Sequence, residues 1–309
     1  MVKKVFITGG AGYIGCVLTP LLLKNGYKVT VYDNLMYGGD GLVNNFMDPN
    51  FSFVKGDIMD RDHLHASMKD HDVIIHLAAI VGYTACRKDE RRSHEVNHQG
   101  TKNVVDGLDG SQLLMYGSTG SNYGKVEGVC TEESPLNPLS IYGVTKTLGE
   151  EEVMKYKNAV AFRFATAFGV SPRLRLDLLV NDLSYSAYVQ KYIAVYESHF
   201  MRTFIHINDI AEVFKFTIEN QDKMKGEVYN VGSNNMNYSK GDVCKLIQSK
   251  SDCYVHYADF DNDADKRDYV VSYDKINKLG FDTTIDVEQG ISELFTVFPL
   301  VCIQTKYRN

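Results

Sequence analysis

Tyr142 and Lys146 form a pair whose residue types and spacing could do chemistry. They lie four positions apart in SIYGVTKTLGEE (140–151), a stretch that we predict to be helical, so both side chains share one helix face. A tyrosine, with a pKa of about 10, acts as a base near neutral pH only if its phenolate is stabilised, and a neighbouring ammonium does this. The same spacing also fits two ordinary residues on a solvated face. The surrounding chain must decide between these interpretations.

The elements that must position this pair follow a simple rhythm. Short β-branched runs alternate with amphipathic stretches, in the order KKVFITGG, KVTVYDN, FSFVKGDI, DVIIHLAAI and QLLMYGS. This alternation predicts strand, helix, strand units and a parallel sheet, whose strands are apolar on both faces. VAFRFATAF (160–168) and EVYNVGS (227–233) are predicted to be two more strands of the same kind.

A glycine-rich loop follows the first predicted strand. GGAGYIG spaces Gly9, Gly12 and Gly15 by three residues, just before the predicted helix 13–25. This spacing suits a tight turn and close backbone approach to a pyrophosphate at the helix N-terminus. Asp33 lies 24 positions after Gly9, where its carboxylate can accept two ribose hydrogen bonds and would repel a 2′-phosphate. The pattern predicts an NAD site and favours NAD over NADP.

The predicted fold class is α/β, a Rossmann-type doubly wound parallel sheet with a smaller α/β C-terminal lobe. We expect the Rossmann domain to span 1–169 plus 205–233 and the smaller lobe to span 170–204 plus 234–309. Asp57 ends the third predicted strand, where it could reach the adenine or could cap a helix that begins near Asp60. The sequence leaves both interpretations of Asp57 open.

The composition excludes several other classes of protein. The chain has 309 residues, of which 44% are hydrophobic and 23% charged, and it has no apolar run long enough for a membrane span. A net charge of -6 without a basic, aromatic-interleaved stripe predicts no nucleic-acid partner. The N-terminus lacks a secretory pattern, so a soluble cytoplasmic protein is expected. Six scattered cysteines without zinc spacing predict reduced thiols and no metal site.

Eight short motifs, taken in order, resemble those of a known family. They are TGGAGYIG (8–15), GDI (56–58), HLAA (76–79), NHQGTKNVV (97–105), STGSNYG (118–124), YGVTK (142–146), RTFIHINDI (202–210) and YNVGS (229–233). Over nearly its whole length the chain resembles the extended short-chain dehydrogenase/reductase family, the NAD-dependent sugar-nucleotide epimerases and dehydratases. Tyr142 and Lys146 match the Tyr-xxx-Lys pair of that family, which favours the catalytic interpretation over the solvated face.

The resemblance implies a catalytic set and a cofactor-binding set. Thr119 matches a catalytic serine or threonine that bonds the substrate oxygen as it becomes a ketone, although it could instead only end its strand. Tyr142 would transfer the hydroxyl proton, and Lys146 would also hold the nicotinamide ribose. The implied cofactor-binding residues are Gly9, Gly12, Tyr13, Ile14, Gly15, Asp33, Asn34, Asp57, Ile58, Leu77, Ala78, Ala79, Tyr142 and Lys146.

The resemblance also implies a nucleoside-diphosphate sugar as substrate. A planar guanidinium can bond two phosphate oxygens at once, although any single arginine could instead form a surface ion pair worth little. Besides Thr119, the candidate substrate-binding residues are Arg202, Arg267 and Asn181, at family positions near the diphosphate, and Arg173 and Arg175, on the loop that leads into the smaller lobe.

Gly120 and Ser121 bear on the reaction. In the 4,6-dehydratases of the family an acidic pair follows the catalytic threonine and helps to expel the C6 hydroxyl, and serine is a poor substitute for that acid. We therefore expect oxidation at a sugar carbon, most often C4 in this family, followed by epimerisation or by release of the ketone. A 4,6-dehydratase and an NADPH-dependent ketosugar reductase are the alternatives.

The segments SPRLRLDLLVNDL, NQDKMKGEVYNVGS and DADKRDYVVS resemble a bacterial branch from capsule and lipopolysaccharide sugar pathways. That branch includes enzymes that oxidise C4 of a GDP-linked heptose, so a GDP-sugar is a candidate substrate. Apolar positions in 97–108 and 140–156 fit the two helices through which relatives dimerise, so a homodimer is expected. We separately expect NAD to be tightly bound.

Two rival classes share the fold. A non-catalytic NAD(H)-binding regulator would usually have lost the Tyr or Lys that this chain keeps. A reductase of a free apolar ketone would leave Arg202 and Arg267 without a partner, which argues against it.

Overall fold

The structure is a computed structural model that describes residues 2–258 and 268–301. Its strands are, in chain order, β1 (Lys4–Thr8), β2 (Lys28–Asp33), β3 (Phe51–Lys55), β4 (Val73–His76), β5 (Leu113–Thr119), β6 (Lys125–Cys130), β7 (Ala159–Phe164), β8 (Thr166–Phe168), β9 (Tyr192–Tyr196), β10 (Met201–His206), β11 (Glu227–Val231), β12 (Asn237–Ser239), β13 (Tyr254–Ala258) and β14 (Asp268–Val271).

The central sheet has the order β11-β7-β5-β4-β1-β2-β3, and all its strand pairs are parallel. β1, β4 and β5 lie in the middle, and their apolar side chains are buried on both faces. The strand order reverses between β1 and β4, which are not consecutive in the chain. The predicted Rossmann-type doubly wound sheet is confirmed.

The helices cover this sheet and build the second lobe. They are α1 (Gly15–Lys24), α2 (Arg61–Met68), α3 (Tyr83–Lys88), α4 (Glu90–His94), α5 (Thr101–Asp106), α6 (Ile141–Val153), α7 (Leu179–Gln190), α8 (Ile207–Glu219), α9 (Gln221–Met224), α10 (Lys240–Gln248), α11 (Asp274–Asn277) and α12 (Val287–Val297). Polar side chains fix several helix starts, among them the capping box of Ser239 and Asp242 at α10.

Two predicted elements are interrupted. The predicted helix over residues 97–108 is interrupted by a π-helical turn, Glu95–Gly100, which lies between α4 and α5. The predicted strand 160–168 breaks at Ala165, whose backbone N–H donates to Val231 O at 2.9 Å. β7 therefore belongs to the central sheet, whereas β8 pairs with β10 in a separate three-stranded sheet. Neither break follows from the local hydrophobic pattern, because both are set by contacts with distant segments.

A second buried cluster lies outside the central sheet. Leu176, Val180, Ile193, Val243 and Ile291 belong to it, and it is formed by β9, α7, α10 and α12 with neighbouring loops. The division of the chain into the two lobes at the residues given above stays a prediction.

Within 2–258 and 268–301, no helix is long and apolar enough to cross a membrane. The five cysteines of the same residues, Cys16, Cys86, Cys130, Cys244 and Cys253, are buried free thiols. Cys302 lies outside the described residues.

Candidate active site

A cavity of about 290 Å³ opens at the carboxyl ends of β1, β2, β4 and β5. Parallel strands bring these ends to one edge of the sheet, so residues far apart in sequence meet there. The cavity is lined by residues from the glycine-rich loop, from the ends of these strands, from α6 and from the loop that leads into the smaller lobe.

The glycine-rich loop fits the backbone of a dinucleotide. Gly9 has a φ of 72°, and a Cβ there would lie 2.5 Å from the backbone N of Ala78, so only glycine fits where the loop meets the end of β4. Gly12, Tyr13 and Ile14, which immediately precede α1, line the cavity. Because a helix N-terminus favours anions, this loop suits the pyrophosphate of NAD. Gly15 packs on the backbone of Gly10 instead, and its cofactor contact stays a prediction.

Asp33 lies at the end of β2 with its carboxylate already oriented. Oδ2 accepts from the N–H of Ala11 at 3.0 Å, and Oδ1 accepts from the N–H of Leu35 at 2.8 Å. Burial raises the pKa of this carboxyl, while these two hydrogen bonds and the charge of Arg173 act in the opposite direction. Each oxygen keeps further acceptor capacity, which is what a ribose diol requires.

Asp57 does not cap α2. The cap is Asp60, whose Oδ1 accepts from the N–H of His63 at 3.3 Å, so the capping interpretation of Asp57 is wrong. Asp57 lines the cavity and accepts from Asn34 Nδ2 at 3.2 Å and from Arg92 Nη2 at 3.3 Å. Its contact with the adenine stays a prediction that this position allows.

Thr119 ends β5 and lines the cavity with its neighbour Ser121. The hydroxyl of Thr119 donates to Ser121 Oγ at 3.1 Å and accepts from the N–H of Ser121 at 3.2 Å. Both residues are buried, so these contacts fix the orientation of the threonine hydroxyl at the cavity wall.

Helix α6 carries Tyr142 and Lys146 into the same cavity, which confirms that the pair lies on a helix and not on a solvated face. The side chain of Ser140 caps α6 by accepting from the N–H of Gly143 at 3.1 Å. The Cα of Gly143 lies close to Pro138, whose Cβ would be 2.8 Å from a Cβ at that position. Small residues therefore let the start of α6 approach the loop that precedes it.

The ammonium of Lys146 is almost completely buried, at 2% exposure. Its Nζ lies 3.9 Å from the centroid of the Tyr116 ring, a cation–π contact. Burial lowers the pKa of Lys146 to about 7, while the charges of Glu150 and Cys86 act to raise it. Such a strongly shifted group at a cavity is characteristic of a functional site.

A buried ion pair fixes α6 against the sheet. Arg163, on β7, donates to the Glu150 carboxylate, with Nη2 and Oε1 2.6 Å apart. Ser118 Oγ and Asn122 Nδ2 donate to the other oxygen of that carboxylate, at 2.6 Å and 3.1 Å. Glu150 lies one turn after Lys146, and Ser118 directly precedes Thr119. The network therefore fixes the catalytic helix relative to the end of β5.

Asn97 joins the π-helical turn to α6 and to the loop after β4. Its Oδ1 accepts from the N–H of Ile80 at 2.7 Å, and its Nδ2 donates to Ile80 O at 2.9 Å and to Thr145 Oγ1 at 3.0 Å. Ile80 lines the cavity and Thr145 lies on α6. A π-helical turn at a functional site is common, and here it places a buried amide between three elements.

His76, at the end of β4, is buried between two threonines. Thr101 Oγ1 donates to Asn97 O at 2.7 Å, so it accepts from His76 Nε2, 2.9 Å away. His76 Nδ1 then accepts from Thr8 Oγ1 at 2.7 Å. Burial, aided by the charge of Lys146, lowers the pKa of His76 to about 3, so the ring is a neutral brace between β1, β4 and α5.

Most of the predicted cofactor and catalytic residues meet at this cavity. Besides those already described, the lining includes Asn34, Ile58, Leu77, Ala78 and Ala79. Their individual contacts with a ligand stay predictions.

The predicted substrate residues are divided. Arg173 and Arg175 line the cavity, whereas Asn181 and Arg202 are not among the described lining residues. Asn181 is fully buried, and its amide bridges the backbone of Gly169 and Arg175. Arg202 is buried, and its Nη1 donates to Met201 O at 3.0 Å. Arg267 lies outside the described residues.

Sequence reasoning missed the roles of Glu150, Arg163, Asn97 and His76. Asn97 and His76 lie in the motifs NHQGTKNVV and HLAA, and Glu150 follows Lys146 by one turn of the predicted helix. The residue types gave a signal in these three cases. Arg163 is the one charged residue of the otherwise apolar stretch VAFRFATAF, which signals a buried partner but does not identify it as Glu150.

A Rossmann sheet, a glycine-rich loop, an oriented Asp33 and a Tyr-xxx-Lys pair at the same cavity are characteristic of enzymes that use a nicotinamide dinucleotide. A family model described as the NAD dependent epimerase/dehydratase family matches residues 5–232. The chain belongs to this family and is an extended short-chain dehydrogenase/reductase enzyme with NAD as its cofactor.

Relatives and a solved structure are similar over most of the chain. The chain is 26% identical over 304 residues to a putative UDP-glucose 4-epimerase of Methanocaldococcus jannaschii, covering 94% of this chain and 96% of the relative. It is 27% identical over 249 residues to a dTDP-glucose 4,6-dehydratase of Streptomyces niveus, covering 74% and 72%. The solved UDP-glucuronic acid 4-epimerase of Bacillus cereus, in complex with UDP-glucuronic acid and NAD, is 25% identical, with a TM-score of 0.86 and coverage of 97% and 100%.

Proposed function

We propose that this enzyme oxidises one carbon, C4, of a nucleoside-diphosphate sugar, as a 4-epimerase or as a net 4-dehydrogenase. The observation that carries the proposal is the convergence of Thr119, Tyr142 and Lys146 on the cavity that the glycine-rich loop and Asp33 also line. Two of the similar proteins described above are named as 4-epimerases. A GDP-linked heptose is one candidate substrate.

The chemistry that NAD supplies when bound is the acceptance and return of a hydride. Tyr142 takes the proton of the sugar hydroxyl as its carbon is oxidised and returns it when the carbon is reduced again. Lys146 lies on the same face of α6, and in its protonated form, below a pKa of about 7, its ammonium stabilises the Tyr142 phenolate. Thr119 gives up its hydrogen bond to Ser121 and donates to the substrate oxygen as that oxygen becomes a carbonyl.

A 4,6-dehydratase is the second candidate, favoured by the similarity to the Streptomyces niveus protein. Removing the C6 hydroxyl requires an acid close to Thr119. Gly120 and Ser121 follow Thr119, and neither carries a carboxyl group. The side chains around Thr119 therefore support oxidation and re-reduction, or oxidation alone, over dehydration.

The substrate's diphosphate would be held by Arg175, with Asn181 supporting the loop that carries it. Arg202 and Arg267 are proposed as further diphosphate contacts. We also propose a homodimer that uses α5 and α6 and a cytoplasmic location, as the sequence led us to expect.

The test begins with the nucleotides that the purified protein releases on denaturation, identified by mass spectrometry. Retained NAD or NADH with a nucleoside diphosphate would name the base of the substrate. Sugars of that base, labelled with deuterium at C4, are then incubated with the enzyme. Deuterium should pass to the cofactor. A 4-epimerase should then return it to C4 of the epimer, whereas a net 4-dehydrogenase should leave it on NADH and release the 4-ketosugar, in both cases with the C6 hydroxyl intact.

Tyr142→Phe is the matched variant for this assay. Loss of the proton-transferring group should lower kcat about 100-fold or more while NAD retention is unchanged. Loss of the C4 deuterium to solvent during turnover would exclude the proposed hydride transfer, and a product without the C6 hydroxyl would identify a dehydratase. Full activity of Tyr142→Phe would remove the assigned role of the tyrosine.

A further inference from the structure

The loop that leads into the smaller lobe is bound to the glycine-rich loop at one residue, Tyr13. The hydroxyl of Tyr13 donates to Gly169 O at 2.8 Å, and Ser171 Oγ donates to Tyr13 O at 2.8 Å. The backbone N–H of Arg173 donates to the same Ser171 Oγ at 3.3 Å. Residues 169–173 therefore lie against the segment that precedes α1, where the pyrophosphate of NAD would bind.

The side chain of Arg173 lies over the ring of Tyr37 at the cavity wall. Its guanidinium carbon lies 4.4 Å from the centroid of the Tyr37 ring, and Tyr37 belongs to the loop that follows Asp33. Arg173, Tyr37 and Asp33 all line the cavity, and Arg173 is only 7% exposed. A flat cation over a phenol ring is held in one plane, which limits the directions in which it can donate hydrogen bonds.

The neighbouring residues place the same loop on α1. A Cβ at Gly41 would lie 2.6 Å from Cys16 Sγ and 3.3 Å from Pro172 Cβ, so the loop after β2, the first turn of α1 and Pro172 are in close contact. The charge of Arg173 acts on two buried acidic groups, the Asp33 carboxyl and the Cys16 thiol. It lowers the pKa of Asp33 and that of Cys16, in each case against a larger rise caused by burial.

We propose that Arg173 is a cofactor-binding residue, which the loop of the smaller lobe contributes, and that its guanidinium binds the pyrophosphate of NAD beside Asp33. A guanidinium is suited to this anion because it can bond two phosphate oxygens at once. The sequence suggested the diphosphate of the substrate as the partner of Arg173. Its position over Tyr37 and beside Asp33 assigns it to the cofactor instead.

The consequence is a cofactor held from two sides. The glycine-rich loop contacts the pyrophosphate from the sheet, and the 169–173 segment covers it from the smaller lobe. The inference depends on the NAD site alone, so it is independent of which nucleotide sugar is the substrate.

The test compares three dissociation constants in Arg173→Gln, those of NADH, GDP and UDP, measured on the full chain from which bound nucleotide has been removed. The Kd of NADH should rise at least about ten-fold, the effect of one lost charge-assisted hydrogen bond, whereas the Kd values of GDP and UDP should change less than two-fold. Arg87→Gln is the matched control. Arg87 is exposed and also lies over a tyrosine, 5.9 Å from the ring centroid of Tyr83, but it is not among the residues lining the cavity.

Unchanged NADH affinity in Arg173→Gln would overturn the proposal. Weaker binding of GDP or UDP with unchanged NADH binding would show that Arg173 binds the diphosphate of the substrate instead. If Arg173→Gln does not fold, Arg173→Lys keeps the charge and loses the planar fork. It should bind NADH several-fold more weakly than the wild type, and equal affinity would again contradict the assignment. All these measurements need no turnover, so they stay valid if the proposed C4 chemistry is wrong.

Discussion

Two arginine–carboxylate pairs have the same closest contact, 2.6 Å, but one joins two elements of the fold and the other joins two residues of a single loop. Arg163 and Glu150 join β7 to α6, and their side chains are 7% and 5% exposed. Arg175 and Asp177 are two residues apart on one loop, and Asp177 is 24% exposed. The first pair holds two elements of the fold together. The second pair only shapes its own loop.

This difference indicates how each pair acts. The Glu150 carboxylate also accepts hydrogen bonds from Ser118 and Asn122. Removing this carboxylate would therefore leave three buried donors, on Arg163, Ser118 and Asn122, without this partner. An anionic ligand that enters the cavity would compete with Asp177 for the Arg175 guanidinium, because Arg175 lines the cavity. The first pair is expected to govern stability and the geometry of catalysis, and the second to govern binding.

The largest effect is expected from Glu150→Gln. This change leaves the Arg163 guanidinium buried without a charged partner, so the free energy of unfolding in urea should fall by about 3–5 kcal/mol. kcat should fall as well, because α6 is no longer fixed against the end of β5.

The double variant Glu150→Gln with Arg163→Met is the control for that loss. It removes the uncompensated charge and should recover a large part of the stability. A single variant that loses less than about 1 kcal/mol would show that this pair behaves like a surface pair, and the contrast between the two pairs would disappear.

Arg175→Gln should affect binding more than stability. The substrate's diphosphate loses one charge-assisted contact, so the Kd of the matching nucleoside diphosphate should rise about ten-fold in isothermal titration calorimetry. The NADH affinity should stay the same, which is the opposite of the pattern expected for Arg173→Gln. If Arg175→Gln instead weakens the binding of NADH, both Arg173 and Arg175 would be assigned to the cofactor.

Lys146→Met tests the catalytic site that Glu150 supports. The pKa of Lys146 is depressed by burial from 10.5 to about 7, so between these values the unfolded chain binds a proton that the folded chain lacks. The wild type is therefore destabilised most at low pH and gains stability as the pH rises above about 7.

Relative to Lys146→Met, the wild type should gain at least about 1 kcal/mol between pH 7 and pH 9. Urea unfolding of both proteins at the two pH values measures this change. A difference that does not vary with pH would mean that Lys146 is charged in the folded protein throughout this range. The variant should be inactive at every pH.

The smallest effect on stability is expected from Asp177→Asn. Its partner lies two residues away and the carboxylate is partly exposed, so the free energy of unfolding should change by less than about 1 kcal/mol. Thermal denaturation of this variant beside Glu150→Gln gives the contrast directly. A loss as large as that of Glu150→Gln would show that the loop pair also supports the fold.

Much of the site could be predicted from particular residues because local rules apply to them. Gly9 needs a positive φ beside Ala78, Asp33 ends a strand next to the glycine-rich loop, and Tyr142 and Lys146 share a face of one helix. Each of these features is set within a few residues of the chain. The orientation of Asn181, by contrast, follows from the backbone of Gly169 and Arg175, and no periodicity indicates it.

The sequence by itself determined the parallel sheet and the dinucleotide loop, because hydrophobic periodicity and strand-end motifs are local properties. Its resemblance to the family indicated Thr119, Tyr142 and Lys146 as the catalytic candidates. Only the tertiary structure decided that Glu150 pairs with Arg163 and that Arg173 lies beside Asp33, 140 positions earlier in the chain. The physical reason is that burial and charge pairing depend on which distant segments pack together. A side chain's partner is fixed by that packing and not by its neighbours in sequence.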